Sequence, residues 1–120
     1  MVSPINSALA GISAATKRLE VSADNIANQF SSNYVPKKVD QVSLSNGAIQ
    51  SLVKPVNNPT VLVPDPDAPD AGADGFVRLP NVDIANELVN QAIAAYDYKA
   101  NLKTIQIARK LDESLLDIFS

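Results

Sequence analysis

The sequence has no cysteine, no histidine and no tryptophan. Without cysteine there is no disulfide, no thiolate nucleophile and no thiolate ligand for a metal. Without histidine the imidazole base of most acid–base catalysis is missing, along with the commonest zinc ligand. Aromatic residues make up only 5% of the chain. Much of the 46% hydrophobic content is alanine, which builds slim helix contacts more readily than a thick core. The net charge is −3, and basic pairs such as Lys37-Lys38 and Arg109-Lys110 stand isolated, so nothing asks for nucleic acid. No stretch approaches the roughly 20 apolar residues of a membrane span, so no membrane insertion is expected. The opening MVSPINSALAGISAATKRLE has no basic n-region and does not read as a cleavable signal, which leaves an uncleaved route for any export.

What is present is helical at both ends. Ser3 is a good N-cap and Pro4 suits the first helical position. Ile5, Leu9, Ile12, Thr16, Leu19, Ala23 and Ile26 then follow in steps of four and three, the spacing of a helix packed along another helix. The opposite face is Ser, Thr, Asn and Ala and lacks the charged coat of a freely solvated helix. Residues 82–118 carry the second helical signal, with Asp83 or Asn81 as its cap. Its seam runs through Ile84, Leu88, Ala95, Tyr98, Leu102 and Ile105, and the apolar role then passes to Ala108, Leu111, Leu115 and Ile118.

Between the helices the pattern changes. Asn46-Gly47 lies between apolar runs and predicts a tight hairpin turn, with Leu44 facing Ile49 across it. Pro55, Pro59, Pro64, Pro66, Pro69 and Pro80 exclude helix and predict an extended segment. The expected fold is therefore mainly α: two long terminal helices in an antiparallel coiled-coil hairpin, with a small β-hairpin and loop element between them. The segments are 1–29, 30–80 and 81–120, forming one functional unit.

Candidate chemistry is sparse. Asp65, Asp67, Asp70 and Asp74 are possible ligands for a hard cation, but Pro69 and Asp70 stand where a calcium loop needs a ligand and a glycine. The stretch reads as a plain acidic loop, and no metal or cofactor is expected. Tyr98 falls on the helix seam and reads as packing. The end of the first helix, SADNIANQ, spends amides where leucines and lysines are usual. Asn28 has a simple reading as a left-handed terminator. Asn25, beside the seam residue Ile26, suggests a buried amide that fixes register, here against other subunits.

These residues resemble the flagellar basal-body rod protein family. Its hallmark is a first helix ending in an Asn-Asn-Ile-Ala-Asn type of motif, here Ser22-Ala23 followed by Asp24-Asn25-Ile26-Ala27-Asn28. The second half is similar to the proximal-rod branch. It carries Gly75-Phe76-Val77, then Pro80-Asn81-Val82-Asp83, then Tyr98-Lys99-Ala100-Asn101 and Leu116-Asp117-Ile118. The likeness covers both helices and the acidic loop. Asp24 replaces the usual first Asn, and Asp97 stands where an Arg is usual before the second tyrosine. The resemblance implies a structural, non-enzymatic subunit of a periplasm-spanning rod, exported through the flagellar type III apparatus without signal cleavage. Its partners would be copies of itself and other rod proteins in a helical tube, with no small-molecule substrate. Packing would fall to Ile5, Leu9, Ile12, Leu19 and Ile26 against Leu88, Ala95, Tyr98, Leu102, Ile105 and Leu115. The residues alone also allow a free helical-hairpin binding module, such as an export chaperone or secreted regulator; an enzyme or calcium-binding protein fits them least.

Overall fold

The computed structural model describes residues 4–45 and 48–119. Helix α1 spans Pro4–Ala27 and helix α2 spans Ile84–Phe119. Between them lie strands β1 (Lys37–Ser43), β2 (Ile49–Pro55), β3 (Thr60–Pro64) and β4 (Phe76–Pro80). The strands form two separate antiparallel ribbons, β1 with β2 and β3 with β4. The proline-rich segment is extended, as expected, but it makes a second hairpin that the sequence pattern did not announce. Pro64 and Pro80 fall at the ends of β3 and β4, where a missing N–H costs the ladder nothing.

The first hairpin pairs in a different register from the one the sequence suggested. Ser43 faces Ile49, and the Leu44 N–H donates to the Ala48 carbonyl at 2.8 Å. Leu44 is thus opposite Ala48, one residue short of the expected Leu44–Ile49 pair. Asn46 and Gly47 lie outside the described residues. Like charges meet at Lys38↔Lys54, and Asp40 relieves them: its carboxylate is 3.8 Å from Lys38 Nζ and 3.2 Å from Lys54 Nζ.

The helices lie side by side with opposite chain direction. A Cβ on Gly11 would meet the Asn101 side chain, Arg18 Nη1 is 3.2 Å from Asp97 Oδ2, and Ser22 Oγ donates to the Glu87 carbonyl at 3.0 Å. The contact face is not the apolar seam. On α1 the buried residues are Ala8, Ala14, Ala15, Val21, Ser22 and Asn25. Ala8, Ala15, Ser22 and Asn25, with half-buried Gly11 and Arg18, form a stripe that is the expected heptad moved back by one residue, or about 100° around the helix. Leu9 remains 53% exposed; Ile5, Ile12, Leu19 and Ile26 are half-buried. On α2 only Ala94 is fully buried, Ile84, Ala95 and Ile105 are half-buried, and Leu88, Tyr98, Leu102 and Leu115 are exposed. Small side chains let two backbones approach closely, and the polar contacts at Ser22 and Asn25 fix which face is chosen.

The molecule is long. It measures 77 × 25 × 19 Å, with a radius of gyration of 20.8 Å against about 14 Å for a compact domain of this length. Helix α1 is 24 residues and α2 is 36, so α2 outruns its partner. Every residue from 109 to 119 is exposed. The apolar side chains there include Leu111, Leu115, Leu116, Ile118 and Phe119, between 54% and 86% exposed.

Candidate assembly junction

The amide-rich end of α1 answers to a specific geometry. Asn25 has no solvent exposure, yet all its hydrogen-bonding capacity is used. Its Nδ2 donates to the Lys37 carbonyl at 2.7 Å and to Glu87 Oε1 at 2.8 Å. Its Oδ1 accepts from the Lys37 N–H at 3.0 Å and from the Tyr34 hydroxyl at 3.1 Å. One side chain therefore joins α1, the first residue of β1, the connecting loop and the first turn of α2. A buried amide is tolerated only when satisfied this fully, and a register slip would strand several groups at once. Within the chain, Asn25 sets the register of α1 against β1 and α2.

Tyr34 reaches this junction because the chain turns back after the helix. Its phenol is pushed above its ordinary pKa of 10.0, first by burial and then by the carboxylates of Asp24 and Glu87. Asn28 does not adopt the left-handed conformation; among the described residues, the non-glycine ones that do are Asn33 and Asn58. Instead its Nδ2 donates to the Asp24 carbonyl at 2.9 Å, which also accepts the Asn28 backbone N–H at 3.0 Å, so one residue closes the last turn of α1 twice.

The Pro80-Asn81-Val82-Asp83 step is a fastening. The Asn81 N–H donates to the Pro59 carbonyl at 2.9 Å, and its Nδ2 to the Asn58 carbonyl at 3.2 Å. Asp83 is the N-cap of α2, with Oδ1 accepting from the Asn86 N–H at 3.2 Å. Val82 is half-buried and Pro80 buried. Ser22 and Glu87 extend the fastening to the helix pair. Asn101 is half-buried against Gly11, and its Nδ2 donates to the Asp97 carbonyl at 2.8 Å. Asp97 itself is held by Arg18.

Sequence reasoning missed Gly11 and the junction role of Glu87, and it did not place the α2 contact on the Ala8–Ala15 face. The signal was present: Ala8, Gly11 and Ala15 each stand one residue before the seam positions Leu9, Ile12 and Thr16. In the acidic loop, Asp65, Asp67, Asp70 and Asp74 are all exposed, and no group of three or more potential ligands forms a metal site among the described residues.

Comparison with known proteins fits this geometry. Residues 73–118 match the family model described as flagellar basal body rod FlgEFG protein C-terminal, which takes in β4 and nearly all of α2. The flagellar basal-body rod protein FlgC of Salmonella typhimurium is 34% identical over 112 residues, covering 83% of this chain and 84% of that protein. The chain belongs to the FlgC family of flagellar basal-body rod proteins. FlgC of Yersinia enterocolitica is 36% identical over 112 residues, with the same coverage of 83% and 84%. FlgC of Bacillus subtilis is 26% identical over 142 residues and covers 95% of both chains. As a FlgC-family member the chain is a structural subunit of the basal-body rod, and membership implies assembly with other rod components. Nothing in these matches supports the binding-module alternative. Among the described residues, no helix is long and apolar enough to cross a membrane.

Proposed function

We propose that this chain builds the proximal rod, stacking helically with copies of itself and with other rod proteins to transmit torque, and catalyses nothing. It reaches the periplasm through the type III export apparatus, unfolded and without signal cleavage. Its two helices act as an antiparallel coiled-coil hairpin that completes its packing only in the assembled tube. Residues 1–29 and 81–120 form the inner layers, and residues 30–80 face outward. The apolar seam residues Ile5, Leu9, Ile12, Leu19 and Ile26, with Leu88, Ala95, Tyr98, Leu102, Ile105 and Leu115, serve the contacts between subunits.

The observation that carries this reading is the surface left uncovered. The chain exposes 8374 Å², about a third more than the roughly 6,200 Å² of a globular monomer of 12.7 kDa. The most exposed apolar side chains include Leu116, Ile118 and Phe119 at the end of α2, 70–86% exposed. An amphipathic helix end of this kind is stabilised by packing and not by its own propensity.

Leu115→Asp tests the reading. Leu115 is 54% exposed, so the isolated chain should lose no more than about 0.5 kcal/mol of stability. In cells the variant should accumulate normally and abolish motility, with the chain lost from purified basal bodies. Normal swimming with the variant retained in basal bodies would remove this helix end from the assembly contacts.

A further inference from the structure

Between α1, α2 and β1 lies a groove of about 400 Å³. Arg18, Lys37 and Lys38 line it, with apolar patches from Val39, Val56 and Ile93. Its one acidic lining residue, Glu87, is engaged by Asn25. Arg18 shares its charge with Asp97, and Lys38 shares Asp40 with Lys54. Lys37 makes no ion pair among the described residues.

The complementary feature is on the same chain. The β3–β4 connection runs DPDAPDAGADG, and no lysine or arginine occurs between Lys54 and Arg78. Asp65, Asp67, Asp70 and Asp74 make no ion pair among the described residues. Five-residue strands carry this loop about 17 Å from the base of its ribbon, where Asn81 N–H meets the Pro59 carbonyl. The loop combines aspartates with the rings of Pro66 and Pro69, and the groove lining combines cations with Val and Ile side chains. The prolines also restrict the loop before it binds, which lowers the entropy lost on docking.

We propose that the acidic loop of one copy of this chain docks in the cationic groove of a neighbouring copy. The contact rests on the rod reading, because only a polymer presents loop to groove repeatedly. Exposed ion pairs are individually weak, so a single loop binds only on the order of 1 mM, and repetition along the assembly makes the contact count.

The test uses isotope-labelled full-length protein titrated with a synthetic peptide of residues 64–75 and followed by NMR. The peptide should shift the amides of Arg18, Lys37, Lys38 and Val39, and bind roughly tenfold more weakly when salt rises well above physiological strength. The same peptide with Asn at 65, 67 and 70 should not bind. In cells, Lys37→Glu with Lys38→Glu should impair motility, and adding Asp67→Lys with Asp70→Lys should restore it. Unmoved groove amides, or equal binding of the Asn peptide, would overturn the contact. So would a motility loss that the charge swap fails to rescue, which would indicate a different occupant. A failed titration with the chain still present in purified basal bodies would remove the contact alone and leave rod membership standing.

Discussion

Asn25→Ala tests the junction most severely for a single atom group. The substitution deletes four hydrogen bonds at a site with no solvent exposure. Two of the abandoned partners are the N–H and carbonyl of Lys37, whose bonds to Asn25 are part-buried, so each orphaned group costs toward the lower end of about 1–3 kcal/mol. The Tyr34 hydroxyl and Glu87 carboxylate are half-buried and regain water in part, so they add less. The expected loss is about 2–4 kcal/mol, a large share of the 5–15 kcal/mol typical of a folded domain. Asn25→Asp separates the geometry from the charge. It keeps the acceptor for Lys37 N–H and Tyr34, but sets a second carboxylate where Nδ2 now lies 2.8 Å from Glu87. At neutral pH it should destabilise at least as much as alanine. Urea unfolding of the full chain, followed by far-UV circular dichroism, reads both variants. A loss below about 0.5 kcal/mol for alanine, or an aspartate variant as stable as wild type, would refute the view that Asn25 fixes the junction.

Gly11 and Asn101 should be coupled. A Cβ at Gly11 would stand 2.5 Å from Asn101 Oδ1, so Gly11→Ala displaces Asn101 from its bond to Asp97. That loss, about 0.5–1.5 kcal/mol, roughly cancels the gain of about 1 kcal/mol from alanine's helix propensity, and the single variant should be near neutral. In an Asn101→Ala background Gly11→Ala should instead stabilise by about 1 kcal/mol in a double-mutant unfolding cycle; additivity would deny the contact. Tyr34 gives a pH dependence. Its folded pKa is raised above 10.0, so its contribution is fully present below that value and is lost as pH rises through the folded pKa. Tyr34→Phe should flatten the alkaline decline in thermal stability, and an unchanged decline would place its cause elsewhere.

Much of the fold was legible because helix signals are local. Pro4, Asp83 and the unbroken run to Phe119 define α1 and α2 from the chain itself. The packing face was harder. Apolar periodicity picked Leu9 and Leu88, whereas the chain buries Ala8 and Ala94 and hydrogen-bonds through Ser22, Asn25 and Glu87. For two thin helices, close approach and polar satisfaction outweigh side-chain size within one molecule, and the larger residues are left on the surface. The second hairpin was hidden because prolines at 59, 64 and 80 mask a strand pattern while still permitting short, edge-only strands. Asn25 itself stood out in the sequence, but its partners did not, because Lys37 contributes backbone atoms and Glu87 lies 62 residues away.

The central claim is that this chain covers its apolar surfaces only inside a larger cylinder. Hydrogen exchange on the free chain and on purified basal bodies tests it directly. Amides of residues 109–119 should exchange rapidly in the free chain and become strongly protected in the assembled rod, while the Asn25 junction is protected in both. Equal protection of 109–119 in the two states would contradict the claim.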